Sequence, residues 1–377
     1  MHRIAPAGQQ QRQATVGIIA NPVSARDIRR VVANANSLQL ADRVNILLRL
    51  VAALGSCDIA RVLVMPDREG LRPMLRRHLD RLHAAADEAT VLPQVAWLEM
   101  PVTGCVDDSF RAARMLHEAG VAAIVVLGGD GTHRAVVREC GEVPVAGLST
   151  GTNNAYPEMR EATVAGLAVG LYAAGCIPDA LALVPNKRLE LSVNAGRADE
   201  RRDIALVDVA ISSEHFIGAR ALWKADTLSA VYLAYAEPEA IGISAIGGLL
   251  APVGRREPGG LAIELAPEGR TILRAPIAPG LVRPVAVSGW RRMADGVPCR
   301  VRQASGVIAL DGEREIAFVA SDEITVTLRE RAFRSIDIAA CMRHAARAGL
   351  MRGAAPAVAP APGIASPTPR PLQRRQA

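Results

Sequence analysis

The chain has 377 residues, of which half are hydrophobic, so it is globular and long enough to bury a sizeable core. Aromatics make up only 3%, which argues against a surface built for stacking bases. The formal charge of +6 sits mostly in the termini: residues 1–13 carry Arg3 and Arg12, residues 353–377 carry Arg370, Arg374 and Arg375, and neither stretch holds an acid. The body between them is nearly neutral, and nucleic acid is excluded as the expected partner.

In chain order, residues 1–13 lack the apolar core of a signal peptide, and a cytoplasmic protein is expected. From residue 14 to about 148, short β-branched runs alternate with longer helical patterns, the signature of βα units around a parallel sheet. Strands are expected over residues 15–21, 59–65, 95–100, 122–127 and 143–148, and helices over 28–54, 68–86, 106–119 and 133–140. Nearly continuous apolar strands imply helices on both faces of that sheet. Residues 162–178 are uncharged and approach the lower limit for a membrane span, roughly 17 residues. Three glycines interrupt the stretch and no basic cluster flanks it, so a buried helix is expected instead.

After Pro185 the texture changes to short, often alternating runs at 189–194, 204–211, 261–266, 271–277, 306–311 and 324–328, separated by Gly, Pro and charged turns. This predicts an antiparallel all-β domain. The expected division is a disordered tail at 1–13, an α/β domain at 14–182, a β-sandwich domain at 183–332, a strand and helix at 333–352, and a disordered Pro/Ala-rich tail at 353–377. The six cysteines, at 57, 105, 140, 176, 299 and 341, show no CxxC or Cys/His ligand spacing. A reduced protein without structural zinc is expected.

Chemistry is expected in the loops at the carboxyl ends of the strands. Residues 122–127, the turn Gly128-Gly129-Asp130-Gly131-Thr132 and residues 133–140 are a strand, a glycine-rich loop and a helix in order. In that arrangement backbone N–H groups and a helix N-terminus face an anion, glycines allow close approach, and Thr132 is a candidate helix cap. Asp130 repels phosphate unless it binds Mg2+, accepts a proton or contacts a sugar hydroxyl. It is equally suited to a tight turn with an Asx bond, and both readings stand at this point. The first strand ends in Asn21-Pro22 and the fifth in Gly151-Thr152-Asn153-Asn154, turns of the same sheet edge where open α/β folds bind ligands. His133 is a candidate phosphate contact, although a solvated first-turn histidine is the simpler expectation. The arginine pairs at 29–30, 76–77, 201–202 and 255–256 read as solvated faces, one of which could reach a nucleotide from the second domain.

These three loops together resemble those of the superfamily of NAD kinases and diacylglycerol or sphingosine kinases. The phrases GIIANP (17–22) and GTNNAYP (151–157) are most similar to its ATP-NAD-kinase-like branch of the acetoin catabolism protein X type. The resemblance spans residues 15–340 and implies a Rossmann-like nucleotide-binding domain, a C-terminal β-sandwich and an active site between them. It implies ATP and Mg2+, with NAD as the acceptor substrate. Gly128, Gly129 and Gly131 would approach the ATP phosphates, with Thr132, Asn21, Pro22, Gly151, Thr152, Asn153 and Asn154 around the nucleotide, and Asp130 near the attacking hydroxyl or the metal. In ALVDVAI (205–211) the family's dinucleotide-binding Asn is replaced by Val207, while Asp208 remains. Ala155 stands where the lipid kinases carry an acid, and Asp311-Gly312-Glu313 matches a motif used catalytically in that branch. By composition alone Asp311-Gly312 is a hairpin turn, and residues 242–253 are a buried Gly-rich connection that also resembles a family segment.

Three functions follow as expectations. The first is an ATP-dependent kinase acting on a hydroxyl of NAD or a related metabolite. The second is a lipid or sphingoid kinase, which a near-neutral body without a basic amphipathic helix disfavours. The third is a nucleotide-binding accessory protein of acetoin catabolism without turnover, which Val207 and Ala155 favour. The expected partners are small-molecule nucleotides, with no stable membrane association and a homo-oligomeric state.

Overall fold

The β-branched run at residues 15–20 forms β1 (Thr15–Ala20), five of its six residues buried, at the middle of the N-terminal layer. The computed structural model describes residues 14–21, 39–85, 91–150, 154–214 and 226–352. Following β1 are α1 (Leu40–Gly55), β2 (Arg61–Val64), α2 (Leu71–Ala85), β3 (Gln94–Trp97), α3 (Asp107–Glu118), β4 (Ala123–Gly128), α4 (Asp130–Glu139), β5 (Val145–Ser149), α5 (Ala162–Ala173) and α6 (Asp179–Ala182). The rest of the chain gives β6 (Leu183–Val193), β7 (Arg201–Ala205), β8 (Asp208–Ser212), β9 (Leu228–Leu233), α7 (Ser244–Leu250), β10 (Gly260–Leu265), β11 (Thr271–Ala278), β12 (Leu281–Met293), β13 (Pro298–Arg300), β14 (Gly306–Leu310), β15 (Glu313–Phe318), β16 (Ile324–Ile336) and α8 (Ile338–Ala348).

The first sheet runs β3-β2-β1-β4-β5 in parallel, as the alternating pattern predicts, and continues through β16, β6 and β7. One of its faces buries Ile18, Val62 and Val125 against α1, α2, α5 and α8; the other buries Ile19, Ile124 and Val126 against α3 and α4. The second sheet is antiparallel, β11-β12-β10-β9-β8-β14-β15. Leu189, Leu191, Val326 and Leu328 of the first sheet share a core with Val209, Ile211, Ile308 and Leu310 of the second. The β-sandwich is therefore built from a dedicated sheet and the far half of the N-terminal sheet.

Several elements differ from the sequence-based expectation. The described part of the first helix begins at Leu40, where Gln39 and Asp42 form a reciprocal capping box, and residues 22–38 lie outside the described residues. The single strand expected at 204–211 is two strands in different sheets, β7 and β8, with the chain crossing at Leu206 and Val207. The break expected at 332/333 falls inside β16. That strand spans both layers, pairing with β6 along its length and with β5 at Ser335. Helix α8 then packs Ile338, Cys341 and Ala345 into the core beside α5, so the C-terminal segment returns to the α/β layer. Pro276 sits in β11, an edge strand, where its missing N–H costs no ladder bond.

The uncharged stretch forms α5, which packs closely on α1: a Cβ on Gly166 would stand 2.7 Å from that of Ala53. Its glycines are there for this approach, and a substitution would push the helices apart. No helix of the described residues is long and apolar enough to cross a membrane. All six cysteines are free thiols.

Candidate functional site

Gly128 closes β4, Gly129 is the N-cap and Asp130 is the first residue of α4. The helix begins three residues before the expected position 133, because the acidic side chain in its first turn complements the helix dipole without a Ser or Thr cap. Thr132, the candidate cap, is instead a buried residue inside the helix, and its Oγ1 accepts from Asn21 Nδ2 at 3.4 Å. The Asn21 backbone N–H donates to the Leu127 carbonyl, and its own carbonyl accepts from Arg43 Nη1 of α1 at 2.9 Å. The ends of β1 and β4 are locked together by these contacts. Pro22, Gly151, Thr152 and Asn153 lie outside the described residues.

Two of the three loop glycines are required by internal packing. A Cβ on Gly128 would stand 2.5 Å from Thr132 Cβ, and one on Gly129 would stand 2.8 Å from Asn154 Oδ1. Asn154 in turn donates from Nδ2 to Ser149 Oγ at 2.8 Å. A Cβ on Gly131 would meet only the Glu313 carboxylate, at 3.6 Å and beyond, an ordinary contact. Gly131 is thus the glycine whose missing side chain leaves room at the helix start.

The Asp130 carboxylate accepts from two consecutive backbone amides of the loop after β5, Ala155 N at 3.0 Å and Tyr156 N at 2.8 Å. That loop is held from the other side by the second half of the chain. Arg255 donates from Nη1 to the Tyr156 carbonyl at 2.7 Å and from Nη2 to the Ala155 carbonyl, and pairs through Nε with Glu237 at 3.0 Å. Its guanidinium lies over the Tyr235 ring, 4.6 Å from the centroid, and Tyr235 Oη donates to the same Ala155 carbonyl at 3.0 Å. Arg255 departs from the expectation of a solvated pair: its carbonyl partners draw it inward. Arg256 remains exposed and pairs with Asp337. Lys187 is buried and donates to the carbonyls of Gly254 and Gly259 at 3.0 and 2.7 Å, which fixes the segment carrying Arg255.

Asp311 and Gly312 form a two-residue turn between β14 and β15, with φ of +49° and +78°. This is the geometry of a type I′ hairpin, in which Asp-Gly is favoured. The Asp311 carboxylate is buried and accepts from the amides of Leu206, Val207 and Asp208 at 2.8–3.3 Å. Those bonds stabilise the crossing between β7 and β8. Burial pushes the Asp311 pKa up to about 7; Arg134 opposes the rise, Asp130 adds to it, and the Leu206 and Val207 amides oppose it. Arg134, buried and 3.9 Å from Asp203, belongs to α4 immediately beyond the glycine turn, where nothing in the sequence separates it from a surface arginine. Val207 is buried in the core shared by the sheets and presents no polar group.

Asp130, Asp208 and Asp311 line one cavity between the two halves of the chain, closed by Ile241, Ser244 and Ile277. Glu313 stands beside this group, against Gly131 at the start of α4. Among the described residues no three His, Cys, Asp or Glu side chains are placed to hold a metal ion, whereas a Mg2+ carried on nucleotide phosphates would need only one or two of these carboxylates. His133, expected at the surface, is buried: Nδ1 lies 2.9 Å from the Gly129 carbonyl, the ring packs on Tyr156, and burial lowers its pKa to about 4. It is a neutral structural group behind the turn.

Residues 16–176 match the model of the ATP-NAD kinase N-terminal domain, and residues 187–331 that of the acetoin catabolism protein X C-terminal domain. Over 350 residues the chain is 68% identical to acetoin catabolism protein X of Cupriavidus necator, covering 92% of this chain and 97% of that protein. Among solved structures, yeast NADH kinase complexed with NADH superposes with a TM-score of 0.48 at 14% identity, covering 93% of this chain and 91% of that one. A Bacillus anthracis protein described as a diacylglycerol kinase gives 0.43 at 12% identity, with 86% and 96% covered.

Proposed function

The chain belongs to the acetoin catabolism protein X family, with an N-terminal domain of the ATP-NAD kinase type, and from that premise we propose that it is an ATP-dependent phosphotransferase acting on a hydroxyl of NAD or a related small metabolite. The observation that carries this reading is Asp130. Its carboxylate is oriented by two backbone amides from a neighbouring strand end, and it lines a cavity between the two halves of the chain.

In the proposed reaction the acceptor oxygen attacks the γ-phosphorus of ATP. The new O–P bond forms as the bond to the β-bridging oxygen breaks, and ADP leaves with that electron pair. Asp130 accepts the acceptor's proton and passes it to solvent. Asn21 and Thr132 hold the strand end and the first turn of α4 together, and Gly131 leaves the space through which phosphate approaches the α4 amides. Such chemistry depends mainly on positioning and charge stabilisation. The roles of Pro22, Gly151, Thr152 and Asn153 at the nucleotide remain part of the proposal, as do Gly128, Gly129 and Asn154. Asp311 and Glu313 are assigned here to shaping the cavity and the start of α4, and Mg2+ is given no protein site.

Asp130→Asn should lower turnover by about 10²–10⁴-fold, the range for loss of a general base, with folding retained but the melting temperature lowered, because one of the two backbone amides loses its acceptor. Unchanged ADP formation by the variant would reject the assignment. A second reading, a nucleotide-binding accessory protein of acetoin catabolism, is favoured by Val207, a buried apolar residue where the resembled family carries its dinucleotide-binding Asn. Tight nucleotide binding with no product from any hydroxyl acceptor would select it. The lipid or sphingoid alternative needs an apolar acceptor cleft, whereas this cavity carries three carboxylates.

A further inference from the structure

We propose that the outward face of α2 docks an acidic helical segment of another protein, and that Asp80 makes this face select a segment with one basic residue among its acids. The face shares no described lining residue with the Asp130 cavity, and its role holds whether or not the chain transfers phosphate. Leu71, Leu75 and Leu79, one turn apart, face the core beneath the helix, so Arg76, Arg77, Asp80 and Arg81 stand exposed on the opposite side. With Pro73 and Ala84 they line a shallow depression of about 520 Å3. Many exposed arginines of the fold meet a carboxylate of the same chain: Arg49 meets Glu161, Arg138 meets Asp203, Arg256 meets Asp337 and Arg300 meets Glu323. Arg76, Arg77 and Arg81 pair with no carboxylate of the described residues, and Asp80, one turn from Arg76, pairs with no base of them.

The order of these charges, two bases, an acid and a base, chooses between anionic partners. A bilayer of anionic lipid or a nucleic-acid backbone presents one sign of charge, and Asp80 would face it as a like charge. A protein segment can answer each position with the opposite sign, so the acid adds specificity where three arginines alone would bind any polyanion. Leu82, 39% exposed, is the large apolar side chain that α2 shows to solvent, too little to enter a membrane interface. No Phe, Tyr or Trp lies on α2 to stack a base. Arg77 and Arg81 stand one turn apart, the spacing at which acids recur along one face of a second helix. Pro73 and Ala84, the two small residues of the depression, let that helix lie close along α2.

The test is fluorescence anisotropy of the full-length chain with labelled, alanine-based peptides of about 18 residues, long enough to be helical. The first peptide carries three Glu and one Lys, spaced to oppose Arg76, Arg77, Arg81 and Asp80. The second carries four Glu, and the third reverses the charges of the first. Arg370→Gln, Arg374→Gln and Arg375→Gln are present in every sample, so that the basic tail does not compete. The mixed peptide is expected to bind about tenfold more tightly than its charge-reversed form and about threefold more tightly than the all-Glu peptide, the range for a few exposed ion pairs. Arg76→Gln/Arg77→Gln/Arg81→Gln should weaken it about tenfold at a nearly unchanged melting temperature, and the three Lys replacements, which keep the charge, should retain most of the affinity. Asp80→Asn should erase the preference for the mixed peptide over the all-Glu one. Tighter binding of the all-Glu peptide, of poly(U) or of phosphatidylglycerol vesicles would overturn the proposal, as would mixed-peptide binding that the Gln substitutions leave intact. A dimer of the chain that the same substitutions dissolve would overturn it too, by making a second copy the occupant.

Discussion

His133 and Asp311 are both sealed from solvent, and burial moves them in opposite directions, to about 4 and about 7. The unfolded chain binds a proton at His133 below about 6.5, so the stability held by the neutral ring is complete above that pH and lost as pH falls toward 4. Asp311 is the reverse: its stability contribution is complete below its unfolded value near 3.9 and lost as pH rises through 7. Each amounts to something on the order of 3 kcal/mol across its window, and between pH 4 and 6.5 they offset one another. Relative to the unmodified chain, Asp311→Asn should therefore gain stability as pH rises from 4 to 7, and His133→Gln should lose it, measured by urea unfolding at a series of pH values. Parallel profiles for all three proteins would contradict both assignments. Asn is tolerated at the positive φ of position 311 and can still accept from the amides of the crossing. Neither shift was legible in the sequence, because His133 follows a polar turn and Asp-Gly has the composition of any hairpin. Only the packing of Tyr156 and the crossing at 206–208 distinguishes them.

At the scale of elements, the glycine turn separates structural from functional need. Gly128→Ala forces a Cβ to within 2.5 Å of a helix side chain and should cost about 1–3 kcal/mol in unfolding free energy. Gly131→Ala has space, gains helix propensity and should leave the melting temperature level or slightly raised, while lowering affinity for ATP. Equal destabilisation by both would remove Gly131 from the proposed phosphate approach. The strands β1 to β5 and the turn between β4 and α4 were readable because continuous β-branched runs and clustered glycines leave few alternatives. Strand β12 was not: Arg283, Pro284, Arg291 and Arg292 break its apolar pattern, and its pairing with β10 and β11 is what holds it. The Arg255 clamp was equally hidden, since it joins carbonyls 99 and 100 residues away. Arg255→Lys, which cannot serve both carbonyls and Glu237 in one plane, should lower the turnover number more than it raises KM. An effect on KM alone would leave the loop of residues 155 and 156 independent of Arg255.

For the whole molecule, the composition break near residue 183 falls where the chain enters β6, a strand of the first sheet that also packs on the second. Strands β6, β7 and β16 extend the first sheet while packing on the second, and α8 closes over α5. The full chain should accordingly unfold in one calorimetric transition, and a fragment of residues 14–182 should lack a cooperative transition; two separate transitions would restore an independent N-terminal domain. This shared architecture places Asp130 from one half against Asp208, Asp311 and Ser244 from the other, so the cavity exists only in the assembled chain. The most direct measurement is ADP formation by purified protein with Mg-ATP and hydroxyl acceptors spanning NAD, NADH, diacylglycerol, sphingosine, acetoin and erythritol, run for the unmodified chain and for Asp130→Asn. A phosphorylated product from at least one acceptor, reduced about 10²–10⁴-fold in the folded variant, is the predicted result. Nucleotide binding without any product, or equal turnover by the two proteins, would contradict it.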